Sequence, residues 1–184
     1  MDLTGKIVDL HQSLAAAGLP HAFGGALALA WCTQRARGTI DIDINVFLPV
    51  ADRQRFLQAL PEGVKVTRAD RQALEQDGQV RLWWDQTPLD VFLNTTDYHE
   101  AVADRIQFET FADTRIPFLA CLDVAVFKAF FNRTKDWADL EEMQLAGTLD
   151  VAEVRQIIGH YLGEDDERID SLTRLAARIT PLSG

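Results

Sequence analysis

The sequence predicts an α+β protein, with a mixed sheet flanked by helices over residues 1–118 and a helical extension over residues 119–184. Three observations point there. Ile40, Ile42 and Ile44 alternate with Asp41, Asp43 and Asn45, the period-two pattern of a strand with one buried face. A Gly24-Gly25 pair separates a strand-like HAF from an apolar stretch long enough for a helix, ALALAWCTQ. From Leu119 onward strand signals stop, and apolar residues recur only at helical spacing, which places helices together after the sheet.

In chain order, Ile7, Leu10, Leu14 and Ala17 mark a first helix closed by Gly18 and Pro20. The HAF strand, Gly24-Gly25, the buried helix and the acidic strand follow. Val50 to Leu60 reads as a helix ended by Pro61, Val64 to Arg68 as a strand, and residues 70–77 as a short helix or loop. Val80 to Trp84 and Leu89 to Leu93 read as strands separated by QTP, and the parity of Asp90 sets it opposite Leu89 and Val91. Residues 97–106 suggest a helix, and QFETFADTRIPFL a hairpin turning at Ala112 to Thr114. Val124, Phe127, Phe130 and Phe131 define one later helix, and Trp137, Leu140 and Met143 another. Asp150 with Glu153 caps a third, and a final amphipathic helix runs through Ile179 after GEDDER.

Composition narrows the function. At 184 residues, with 47% hydrophobic and 25% charged residues, the chain is long enough for a substantial core. No apolar run nears the roughly 20 residues that span a bilayer, and the N-terminal MDLTGKIVDLHQSL does not read as a signal peptide; the expected location is the cytoplasm. Cys32 and Cys121 stand in apolar surroundings and are expected to be free buried thiols. His11, His21, His99 and His160 lack ligand spacing, which argues against zinc. A formal net charge of -10 disfavours broad binding to nucleic acid and suits small or nucleotide substrates carried with a metal ion.

Asp41 and Asp43 hold the chemical question. On one strand face their side chains emerge about 6.6 Å apart and can converge on one ion. A half-exposed strand with its acids in water is one reading. A calcium loop fails, because Val46 stands where the sharp turn needs Gly and Asp52 where a bidentate Glu is needed. A magnesium-binding strand of a phosphoryl-transfer enzyme is the third.

The order Gly24-Gly25, Asp41-Ile42-Asp43 and a lone strand Asp90 resembles the nucleotidyltransferase fold of DNA polymerase β and aminoglycoside nucleotidyltransferases. Further on, DVAVFKAFFNRTKDWADLEE is similar to the segment after the core in abortive-infection nucleotidyltransferase toxins of the AbiEii type. Its matching positions are Lys128, Arg133, Lys135, Asp136 and Asp139. The resemblance covers roughly residues 20–145.

It implies transfer of a nucleoside monophosphate from a triphosphate to an acceptor hydroxyl, with two Mg²⁺ ions during turnover. Asp41 and Asp43 are then the bridging metal ligands, and Asp90 the third carboxylate, near the acceptor and able to take its proton. Gly24 and Gly25 would let the following helix N-terminus approach the triphosphate. Arg37 and Thr39 could reach a phosphate oxygen, while Lys128, Lys135 and Asp136 would join nucleotide binding from a helical subdomain that completes the site. Structural alternatives stay open: a turn hydrogen bond for Asp90, a tight turn for the glycines, a snorkelling stem for Lys128, and helix capping for Lys135 and Asp136. Trp83, Trp84 and Trp137 are assigned to the core. The competing function is a catalytically silent member that binds a nucleotide or a protein, such as an antitoxin; a homodimer is also open. The acceptor, whether small molecule, RNA end or protein, is not legible.

Overall fold

The computed structural model describes residues 1–35 and 38–178. The chain divides into two compact units, Met1–Leu27 with Gly38–Leu119 and Ala28–Arg37 with Ala120–Gly184.

The first unit is built on a mixed sheet. Asp2 caps α1 (Leu3–Ala16) by accepting a hydrogen bond from the Gly5 amide, 2.8 Å, and Ile7, Leu10 and Leu14 are buried on one stripe. Ala17, expected on that stripe, is exposed because the helix ends there. β1 (His21–Phe23) leads into α2 (Gly25–Thr33), and β2 (Ile42–Pro49) carries the alternating isoleucines. Ile42 and Ile44 are fully buried, but Ile40 is 79% exposed, since it precedes the strand in a bend. The helix expected from Val50 is a 3-10 turn, Val50–Asp52, followed by a short α3 (Arg53–Gln58). β3 is only Val64–Lys65. Thr67 ends it by capping α4 (Arg68–Asp77) in a reciprocal box with Asp70, so Arg68 is helical and not extended.

β4 (Gln79–Trp84) and β5 (Thr87–Asn94) form a hairpin around Asp85 and Gln86. α5 (Asp97–Val102) and a 3-10 turn, Ala103–Arg105, precede the hairpin of β6 (Gln107–Phe111) and β7 (Thr114–Phe118). Ala112 and Asp113 both take positive φ, 47° and 60°, the geometry of a two-residue hairpin turn. The strand order is β3-β4-β5-β2-β1-β7-β6, with β2 parallel to β5 and β1 parallel to β7. β2 therefore lies in the middle. Ile44 to Leu48 are all buried, which takes the strand beyond simple alternation, and each such aliphatic side chain contributes about 1.5–3 kcal/mol by leaving water.

The second unit is helical. It contains the last turns of α2, then α6 (Cys121–Phe131), α7 (Thr134–Leu145), α8 (Val151–Leu162) and α9 (Glu167–Arg178). Val124, Ala129, Leu140, Met143, Ile158 and Leu172 are among its buried side chains. Asn132 ends α6 in the left-handed conformation, donates to Glu167 at 2.8 Å and accepts from the Trp137 indole at 2.7 Å. Asp150 caps α8 through the Glu153 amide, 2.9 Å. Cys32 and Cys121 correct an expectation: they form a disulfide, not two free thiols. The end of α2 and the first residue of α6 bring their Cα atoms within 5.5 Å, inside the range that a disulfide spans. Among the described residues no helix is long and apolar enough to cross a membrane.

Candidate active site

The parallel pairing of β2 with β5 sets Asp43 directly opposite Asp90. The β4–β5 hairpin sets Asp90 opposite Arg81. On the other flank of β2 the Gly24 amide donates to the Asp43 carbonyl, 2.9 Å. Arg81, Asp90, Asp43 and Gly24 thus form one row running across β4, β5 and β2 to the end of β1. Two carboxylates in register on adjacent strands repel, and the row answers that with a cation. Arg81 Nε donates to Asp90 Oδ1 at 2.7 Å and its terminal nitrogen to Oδ2 at 2.6 Å, a bidentate fork. The guanidinium's pKa is raised above its ordinary value, first by the Asp90 hydrogen bond and further by the charges of Asp90, Asp41 and Asp43.

Gly25 fixes how closely α2 approaches this row. Its φ is +52°, and a Cβ on it would overlap the Asp43 carboxylate. Only glycine tolerates both demands. The Asp43 carboxylate consequently lies against the first residue of α2, where the helix dipole favours negative charge. Gly24 is under a milder constraint: a Cβ there would meet the Asn45 amide nitrogen and Leu119 Cδ1, each at 3.1 Å. Asn45, one step further along the same face of β2, accepts a hydrogen bond from His99 Nε2 at 3.0 Å. Burial pushes the His99 pKa down to about 4, against a smaller upward pull from the Leu93 backbone. His99 thus braces Asn45 beneath the glycine turn.

Just before β2, the Thr39 hydroxyl donates to Asp41 Oδ1 at 2.5 Å. Asp41 and Asp43 are both partly exposed. Their oxygens and those of Asp90 are the hard donors that magnesium takes, and the missing Cβ at Gly25 leaves room for the Asp43 carboxylate, so the residues fit such an ion. Among the described residues no three His, Cys, Asp or Glu side chains gather round one point.

No protein-family model matches the chain, and a search of curated proteins finds no match. Solved structures do match. The antibiotic-resistance factor ANT(2″)-Ia superposes with a TM-score of 0.58 at 17% identity, over 95% of this chain and 89% of that one. The same factor in complex with adenylyl-2″-tobramycin gives 0.52 at 13% identity, over 95% and 97%. The lincosamide antibiotic adenylyltransferase LnuA, lincomycin-bound, gives 0.52 at 14% identity, over 76% and 94%. The chain has the nucleotidyltransferase fold.

Within that fold, Gly24, Gly25, Thr39, Asp41, Asp43 and Asp90 all belong to the sheet unit, and the row unites Gly24, Asp43 and Asp90. Arg37 lies outside the described residues. Lys128, Lys135 and Asp136 belong to the helical unit. Lys128 is buried on α6, with its Nζ 2.5 Å from Asp139 and 3.7 Å from Asp136. Asp136, buried in the first turn of α7, also accepts from the Arg133 guanidinium at 2.6 Å. Lys135 is exposed. Sequence reasoning missed Arg81 and His99. Counting outward from the Asp85-Gln86 turn pairs Trp84 with Thr87 and so Arg81 with Asp90, a signal that the sequence carries. Nothing local links His99 to Asn45, 54 residues away.

Proposed function

We propose that the protein is a magnesium-dependent nucleotidyltransferase, moving a nucleoside monophosphate from a nucleoside triphosphate to an acceptor hydroxyl. The observation that carries this reading is the row of Asp90, Asp43 and Gly24 across adjacent strands, with Gly25 bringing α2 against the Asp43 carboxylate. Asp41 and Asp43 would hold the metal, and Asp90 would join them. Bound there, magnesium supplies positive charge that offsets the phosphates and activates the attacking oxygen. In the reaction the acceptor oxygen bonds to the α-phosphorus, the bond to pyrophosphate breaks, and Asp90 takes the hydroxyl proton. The Gly24-Gly25 turn opens the α2 N-terminus to an anionic triphosphate. Lys135, exposed on α7, is the candidate nucleotide contact of the helical unit, whereas Lys128 and Asp136 order the α6–α7 junction. The run Lys128, Arg133, Lys135, Asp136 and Asp139 supports kinship with abortive-infection nucleotidyltransferases inside this fold.

The test is product formation. The protein is incubated with Mg²⁺, each of the four nucleoside triphosphates, and acceptors that include aminoglycosides, a lincosamide and RNA. A fold neighbour is in complex with adenylyl-2″-tobramycin, so tobramycin is tried first. Pyrophosphate release, together with an acceptor heavier by one nucleoside monophosphate and dependent on Asp43, is the expected result. No release with any combination, together with no triphosphate binding, would overturn it.

A further inference from the structure

The two-residue turn at Asp85 and Gln86 fixes the register of β4 on β5 and thereby delivers Arg81 to Asp90. The fork engages both carboxylate oxygens of Asp90, at 2.7 and 2.6 Å, from the strand on the far side of β5 from Asp43. A guanidinium and a divalent cation compete for the same oxygens, and their positive charges exclude each other at such distances. The Arg81 side chain is 52% exposed and that of Asp90 20%, so the fork can open into water without disturbing the core. A doubly charged ion offers those oxygens more charge than the single one of the guanidinium and can replace it.

We propose that Arg81 is a positioning residue that holds Asp90 away from Asp41 and Asp43 until a divalent ion enters, making Asp90 a ligand recruited in exchange for Arg81. The proposal rests on the nucleotidyltransferase reading and adds a loading order to it. The Asp41–Asp43 side accepts the metal first, and Asp90 joins once the guanidinium lets go. Arg81 thereby keeps the in-register pair of Asp43 and Asp90 from repelling while no metal is present.

The probe is Mn²⁺ in the full-length protein without nucleotide, with free ion counted by its electron paramagnetic resonance signal. Arg81→Gln should bind Mn²⁺ more tightly than the wild type by up to about fivefold, the factor expected for releasing one partly exposed ion pair. Arg81→Lys keeps the charge but loses the planar fork, and should fall between the two. Adding Asp90→Asn to Arg81→Gln should abolish the gain. Circular dichroism confirms folding, and Arg81→Lys carries the test if Arg81→Gln does not fold. Unchanged or weaker Mn²⁺ affinity in the folded Arg81 variants, alongside magnesium–triphosphate binding by the wild type, would overturn the role of Arg81 alone. A gain that survives Asp90→Asn would also overturn it. No binding of Mn²⁺ or magnesium–triphosphate by any form would overturn the parent reading as well.

Discussion

Replacing Gly25 with alanine tests how the sheet and α2 share one point. At φ +52° an L-residue pays about 1–2 kcal/mol for left-handed backbone. The stiffer unfolded chain returns about 0.4–1 kcal/mol. The added methyl would occupy the place of the Asp43 carboxylate, forcing that side chain off its rotamer for about 0.5–1.5 kcal/mol more. The net loss is about 2 kcal/mol, or a Tm lower by about 4–8 °C for a chain of this size. Gly24→Ala should cost less, about 1 kcal/mol at the low end of overpacking, because its Cβ would meet two side-chain ends at 3.1 Å. Gly25→Asn separates the two effects, since asparagine accepts left-handed backbone but still crowds Asp43. It should melt above Gly25→Ala yet share its loss of magnesium–triphosphate binding. Thermal melts and calorimetric titration on the three variants decide. A Gly25→Ala protein that melts and binds like the wild type, or a Gly24→Ala protein that suffers more, would refute the reasoning.

Three further outcomes follow from the packing. Burial lowers the pKa values of His21 and His99 to about 4, while in the unfolded chain both titrate near 6.5. Below pH 6.5 the unfolded chain therefore binds protons that the folded chain refuses, and stability falls as pH drops from 6.5 to about 4, by on the order of 3 kcal/mol per histidine; a flat unfolding free energy between pH 7 and 4.5 in urea titrations would contradict this. Lys128→Met should cost about 3–5 kcal/mol by removing the buried cation that faces Asp139, and a melt within 2 °C of the wild type, roughly 1 kcal/mol or less, would refute that pairing. The disulfide closes a sequence separation of 89 residues, so reduction should lower stability by about 2–4 kcal/mol; thiol titration of the unreduced, denatured chain should find no free thiol.

The parts of the fold that depend on local pattern were legible. The Asp-x-Asp strand, the β6–β7 hairpin, the helix after the glycine pair and the Asp150 cap all follow from periodicity or turn chemistry, whereas the β4–β5 turn falls at Asp85 and Gln86, with Thr87 and Pro88 of the expected QTP connection already in β5. Features that depend on distant partners were not. Ile40 carries the strand pattern but falls one bend before β2 and is exposed, and Trp83, assigned to the core, faces out at 46% exposure because alternation in β4 buries Trp84 instead. The Cys32–Cys121 bond joins positions whose local apolar surroundings describe free thiols equally well. At the site, the acids and glycines announced themselves by type and order. Arg81 did not, because its meaning comes from register on a neighbouring strand.

The most direct measurement of the central claim is calorimetric titration of the full-length protein with non-hydrolysable analogues of the four nucleoside triphosphates. Each is run with and without Mg²⁺, on the wild type and on Asp43→Asn. Binding of at least one triphosphate only when Mg²⁺ is present, lost in Asp43→Asn while its melt stays near that of the wild type, is the expected result. Binding that ignores both the metal and Asp43, or no heat with any of the four at millimolar concentration, would contradict it.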